Sequence, residues 1–342
     1  MTRSCVLDIT IPTPHGPPLC CVLKLYDPRF GSSVRYMRRG RVAPHTQASE
    51  AAFQAFIKQG QMPGFLAHLR YLDHTELMPP SAISFLLPDD DDDDDDEDAS
   101  YDKSTKDPSR MAKYEAALWR ESRKDFKCET RGYQRLAELQ GSAIPAMLGH
   151  VRLVAAGGER VGKPEDMPPE AKRYFEVKGV LLEYVDGYLL EDLLTSPLAP
   201  PAGDLSAWKR IMQSAIDKAH AINERGVLLH DPAPCNVVVD RHSHEPRIVD
   251  LARCNFKEEV ENWPRDDVEP EAWEREVNYW QHVQAWGNTA ALAGPLQNRV
   301  KRKIGVQLKM WYPDFDWIIG GIRHGWGESG GGWREMGLVG WT

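Results

Sequence analysis

The chain has 342 residues, enough for one large domain or two ordinary ones, and its 42% hydrophobic content is that of a soluble globular protein, which excludes disorder of the whole. A formal charge of −9 argues against a general binder of nucleic acid or anionic membranes, because either needs a basic face that releases counterions from phosphates. No apolar run reaches the roughly 18 residues of a membrane span, and Met1 to Cys5 lack the apolar core of a secretory signal, so the expected compartment is the cytosol or nucleus.

Residues 5 to 11 and 19 to 26 read as two short strands, parted by a proline-rich segment that cannot belong to a sheet interior. Cys20 and Cys21 fall on opposite faces of the second strand. The six cysteines contain no Cys-x-x-Cys pair and read as reduced thiols. Lys24 interrupts the apolar run Leu19 to Tyr26; it is either an edge-strand lysine reaching to water or a buried ammonium that needs a counter-charge.

Residues 45 to 85 carry mixed helical patterning. The unbroken acidic run Asp89 to Asp98 follows, whose like charges repel and read as a solvated, unstructured insertion. From Met111 to Gln140 Leu118, Trp119, Phe126, Tyr133 and Leu136 recur among charges as in a helix, which Gly141 ends. Strands are expected at 150–155 and 179–184. A helix capped by Ser206 carries Trp208, Ile211, Met212, Ala215, Ile216, Ala219 and Ile222 at helical spacing and closes at Gly226. Further helices are expected around 267–286 and 289–310, and the Gly- and Trp-rich tail from Gly325 to Thr342 has no assignable pattern.

Asp231, Asn236 and Asp250 carry the chemistry. If the apolar segments between Asn236 and Asp250 pair as a hairpin, those two side chains meet at one rim, and oxygen ligands of this kind suit Mg²⁺. Asp231, on the loop before Asn236, then faces the same opening, where it can orient or deprotonate a hydroxyl. A metal at nucleotide phosphates, a base and a lysine on the phosphates are the requirements of phosphoryl transfer. Lys24 is the candidate lysine and Glu129, on the helix after the acidic run, its candidate counter-charge. His242 and His244 belong to the tip of the hairpin between Asp240 and Arg247, and His230 reads as an anchor of the loop.

The ordered series Val22-Leu23-Lys24, Glu129 on a helix, Leu181 to Gly187, Asp231 to Asn236 and Val249-Asp250-Leu251-Ala252 resembles the motifs of the eukaryotic protein kinase family. It is also similar to a fungal-type group of protein-kinase-like proteins, with a Leu-Lys-Leu-Tyr-Asp strand and a Glu followed by Tyr and Leu before an Ile-Pro. The resemblance covers residues 19–29 and 118–256. It implies an α+β, two-lobed protein kinase-like fold: a small β-rich N-lobe over 1–180, with a long insertion at about 31–115 and an acidic loop at 88–108, a hinge at 181–187, and a mainly helical C-lobe over 188–342.

Carried over by position, the resemblance implies ATP and Mg²⁺ as cofactors and a protein hydroxyl as acceptor. Lys24 would bind the nucleotide α/β-phosphates and Glu129 would pair with it. Leu182 would back the adenine pocket, backbone groups of Glu183 and Val185 would meet the adenine edge, and Val238 would pack beneath the ring. Asp231 would be the catalytic base, and Asn236 and Asp250 would hold Mg²⁺. The departures are specific. No Gly-x-Gly-x-x-Gly loop precedes Lys24, Ala233 stands where a lysine follows the base, Asp250-Leu251-Ala252 lacks the usual glycine, and no Ala-Pro-Glu follows. They keep two alternatives open, a pseudokinase scaffold with a protein partner and a small-molecule kinase of the aminoglycoside or choline type. A binder of basic proteins acting through the acidic run is a further class.

Overall fold

The computed structural model describes residues 4–31, 35, 43–74, 107–153, 169–261, 271–324 and 332–336. The acidic run and most of the tail lie outside them. The chain is a mixture of α and β, with many helices and small sheets. It divides into two compact units, one of 1–127 and 148–182, the other of 128–147 and 183–342. Residues 128–147 group with the later chain.

In the first unit, β1 (Cys5–Ile11) and β2 (Leu19–Tyr26) pair antiparallel with Cys5 opposite Leu25 and Ile11 opposite Leu19. The strand bounds are those read from the sequence, and Cys21 is buried while Cys20 is exposed. With β3 (Met147–Leu153) and β4 (Val177–Glu183) they form a four-stranded sheet in the order β1-β2-β4-β3. β2 is thus an inner strand, and Lys24 is 5% exposed. The edge-lysine reading is corrected: β4, far along the chain, covers the side of β2 that sequence alone leaves open.

Two helices follow the sheet's first hairpin, α1 (Gln47–Lys58) and α2 (Met62–His74). Thr46 starts α1 with a reciprocal cap, its hydroxyl accepting from the Ser49 amide while Ser49 Oγ accepts from the Thr46 amide. The long helix α3 (Pro108–Arg135) spans about 42 Å at 1.5 Å per residue. Phe53, Phe56, Ile57 and Met62 pack with Ala112 and Ala116 of α3 and with Tyr174 and Phe175. Each large side chain in that cluster contributes on the order of 2 kcal/mol by leaving water. Buried Arg35 is held by Glu115, with Nη2–Oε2 at 2.5 Å, and His45 closes the network against Glu50 and Glu115.

In the second unit, Gly141 turns the chain after α3 at φ 74°. A three-stranded sheet is ordered β5 (Gly187–Leu189), β7 (Val237–Asp240), β8 (Pro246–Ile248), and a separate pair joins β6 (Val227–Leu229) to β9 (Cys254–Phe256). Gly187 is required by close approach, because a Cβ there would lie 1.9 Å from the Val239 carbonyl oxygen. Between β5 and β6 lies α4 (Leu205–Glu224), whose buried face is the apolar stripe expected from spacing. Its N-cap is Asp204 and not Ser206: the carboxylate accepts from the Ala207 amide at 2.9 Å and from Ser206 Oγ at 2.7 Å.

Helices α5 (Ala272–Trp286) and α6 (Asn288–Ile304) meet at Gly287, which is left-handed at φ 59°. Gly305, at φ 78°, stops α6 short of the expected 310. The segment 305–336 adds β10 (Met310–Pro313), α7 (Phe315–His324) and β11 (Trp333–Met336), with β10 and β11 antiparallel. Val277, Tyr279, Trp280 and Val283 of α5 form a core with Leu228, Val260 and Ile319. No helix among the described residues is long and apolar enough to cross a membrane.

Candidate functional site

The β7–β8 hairpin positions two of the three candidate side chains. Val237 pairs with Ile248 and Val239 with Pro246, and the ladder extends one residue when the Val249 amide donates to the Asn236 carbonyl at 2.8 Å. Asn236 thereby stands beside the strand end that leads into Asp250. At the other end, Asp240 Oδ1 accepts from the amides of His242 and Ser243, at 2.9 and 2.8 Å, so His242 and His244 form the turn as expected.

The loop before β7 folds back onto Asn236. Its Nδ2 donates to the Asp231 carbonyl oxygen at 2.9 Å and reaches Asp231 Oδ2 at 3.5 Å. The carboxylate of Asp231 is solvent-exposed. Asp250 has φ 68°, a left-handed conformation that costs a residue with a Cβ on the order of 1 kcal/mol, and its Oδ1 accepts from the Ala252 amide at 3.3 Å. Strain of this kind persists only where the surroundings impose it. Here the β8 ladder ends one residue before Asp250, and Leu251 and Ala252 are buried immediately after it.

Asn236 directs its amide nitrogen at Asp231, and its Oδ1, which the Cys235 thiol approaches at 3.9 Å, is the atom it turns elsewhere. That oxygen and the Asp250 carboxylate are hard donors of the type Mg²⁺ takes. Among the described residues no group of three or more His, Cys, Asp or Glu is arranged to hold a metal ion.

Strand β6, which delivers Asp231, is held from outside by a buried asparagine that the sequence reading missed. Asn288 accepts from the Leu229 amide at 2.9 Å and donates to the Leu229 carbonyl at 2.7 Å, completing β6 opposite its partner β9. Its Oδ1 also accepts from Asn223 of α4 at 2.8 Å. His230 lies against Trp286 with ring centroids 4.2 Å apart. Burial and the nearby Arg253 guanidinium push its pKa down, against the opposing pull of Asp231, which favours a neutral ring at neutral pH. The only hint in sequence was the run Trp286-Gly287-Asn288, a helix break followed by an amide.

The remaining expected residues are distributed between the units. Lys24 and Leu182 belong to the first. Lys24 is buried, with Nζ 5.7 Å from the centre of the Tyr26 ring, and Gly179 leaves room for the Lys24 carbonyl, which would otherwise lie 2.6 Å from a Cβ. Leu182 is 5% exposed near the end of β4. Glu129, Glu183, Val185 and Val238 belong to the second, where Glu129 is fully buried on α3 and Val185 and Val238 are half-buried. The Glu183 side chain is ion-paired with Arg247 and accepts from the Ala146 amide at 2.9 Å. Its backbone N–H donates to the Ala146 carbonyl at 2.8 Å and is already engaged.

Cys128 and Cys254 touch, with sulfurs 3.4 Å apart, and all six cysteines are free. Comparison with models of known protein families and with curated protein sequences finds no match to the chain.

Proposed function

We propose that the protein is a kinase-like phosphotransferase that binds ATP with Mg²⁺ and moves the γ-phosphoryl to a protein hydroxyl. The observation that carries this reading is that Asn236 holds Asp231 through its side chain and, through its backbone carbonyl, Val249, the residue before Asp250. With the Asp250 carboxylate turned toward Asn236, two carboxylates and an amide oxygen would supply a base and a hard-cation site together.

The exposed Asp231 carboxylate accepts the proton of the acceptor hydroxyl as its oxygen bonds to the γ-phosphorus and the bond to the β,γ-bridging oxygen breaks, releasing ADP. Asn236 Nδ2 fixes the Asp231 backbone and lies within reach of its carboxylate. Asn236 Oδ1 and the Asp250 carboxylate would hold Mg²⁺, which neutralises phosphate charge when bound. Lys24 is assigned to the α/β-phosphates with Glu129 as its counter-charge, Leu182 and Val238 to the adenine, and the Glu183 carbonyl and Val185 to its edge.

A second reading, a pseudokinase scaffold, is favoured by Ala233, which leaves no lysine two residues after the base to stabilise charge on the transferring group. Calorimetric titration with ATP, with and without Mg²⁺, separates the two when combined with a phosphoryl-transfer assay. The phosphotransferase binds ATP in a Mg²⁺-dependent manner that Lys24→Met and Asp250→Asn weaken, while Asp231→Asn keeps binding and loses turnover by 10²-fold or more, on the order expected for a general base. Equal turnover in wild type and Asp231→Asn would sink the catalytic assignment. Binding without any turnover would leave the scaffold.

A further inference from the structure

The first unit contains a cavity of about 560 Å³, within the roughly 300–1,000 Å³ of small-molecule sites. Its walls come from α2, α3 and the segment 173–178. On α3 the lining residues Arg120, Arg123, Lys124 and Lys127 recur at helical spacing and form one basic stripe. Arg70 of α2 and Arg173 and Lys178 complete seven cations, against two carboxylates, Asp73 and Glu176. In a chain of formal charge −9 this is a pronounced local reversal of sign.

The carboxylates are already used. Asp73 is ion-paired with Arg120 and lies 3.3 Å from Lys124, and Glu176 meets Arg123 at 3.8 Å and Arg152 at 3.2 Å. Among the described residues, Arg70, Lys127, Arg173 and Lys178 have no carboxylate partner. A merely solvated basic face would leave its charges in water, but Arg120 is 7% exposed, and its Nη1 is buried with no hydrogen-bond partner among the described residues. Trp119 Nε1, in the same wall, is likewise buried without an acceptor there. Burial pushes the Arg123 pKa down, with Glu176 opposing the shift and the Arg173 charge adding to it.

We infer that this cavity binds a compact ligand carrying several phosphates on a small ring or sugar frame. Guanidinium forks and ammonium groups converging from three segments match phosphate oxygens in several directions, which one carboxylate ligand cannot do. Leu66 and the Trp119 ring, over which Arg123 lies at 5.2 Å, supply the apolar wall that a ring frame needs. The inference does not rest on the phosphotransferase reading, because none of these residues belongs to that site.

The test is calorimetric titration of the full chain with inositol hexakisphosphate at about 0.15 M ionic strength, where weak surface attraction is screened. It is run on wild type and on a chain with Asp89–Asp98 replaced by serine, so that the chain's own carboxylates do not compete. Saturable binding is expected in at least one of them, weakened about tenfold or more by Lys127→Ser with Lys178→Ser, which leave the buried side chains untouched, and unchanged by Asp250→Asn. Sedimentation with phosphoinositide vesicles shows whether the phosphates come from a lipid headgroup or a free molecule. No binding in either chain, binding indifferent to the lysine pair, or binding abolished by Asp250→Asn would overturn the inference.

Discussion

Asn288→Ala is the sharpest perturbation of the scaffold around Asp231. Asn288 is fully buried and makes three hydrogen bonds of 2.7–2.9 Å, two of them to the backbone of Leu229. Truncation leaves the Leu229 N–H and C=O without that partner in a dry environment, and each orphaned group costs about 1–3 kcal/mol. Asn223 keeps its bond to the Val227 carbonyl, so its share of the loss is small. The expected destabilisation is about 2–6 kcal/mol, a large part of the ~5–15 kcal/mol typical of folded proteins. Urea unfolding followed by circular dichroism should give a lower midpoint with an unchanged slope. Asn288→Asp should be no better, because a carboxylate cannot donate to the Leu229 carbonyl and would be charged at a buried position. A loss under about 1 kcal/mol for the alanine variant would refute the assignment of Asn288 as the outer partner of β6.

Three other outcomes follow from local structure. Burial opposes charge on His45, but Glu115 and Glu50 outweigh it and hold its pKa at about 8, above the 6.5 of the unfolded chain. Its stabilisation is therefore complete below about pH 6.5 and lost as pH rises through 8; melting temperature should fall over that window in wild type and less in His45→Gln. Gly187→Ala drives a Cβ into the Val239 carbonyl, which as backbone cannot yield, and should cost at least the ~1–3 kcal/mol of overpacking in a urea titration. The hydrogen bond with Cys128, together with burial, raises the Cys254 pKa far above the usual thiol range. At pH 8 an aromatic disulfide reagent should label exposed Cys20 well before Cys254, read by peptide mass analysis; comparable labelling rates would contradict the burial.

Patterns of short range were legible in the sequence. The two-residue alternation and flanking prolines delimit β1 and β2, and the apolar stripe of α4 is visible from Trp208 to Ile222. The approach of Asn236 to the start of Asp250 could also be reasoned out, because a hairpin between them leaves few other registers. What stayed hidden depends on partners far along the chain. Lys24 becomes an inner-strand residue only when β4 arrives. Asp204 and Ser206 are both good caps, and the choice lies in a carboxylate that can accept from Ala207 and Ser206 together. The β10–β11 pair has no alternation to announce it, and Asn288 looks like any polar residue beginning a helix until β6 lies against it.

The junction of α5 and α6 has a consequence for how this sequence can vary. Trp286 lies against His230, Gly287 holds a backbone conformation that side chains resist, and Asn288 completes a strand with its amide. Three adjacent positions are thus each fixed by a different demand, and none can compensate for another. Among diverged descendants of this chain, Trp-Gly-Asn at that junction should persist where neighbouring surface residues have been replaced, giving a short internal marker by which distant relatives could be recognised.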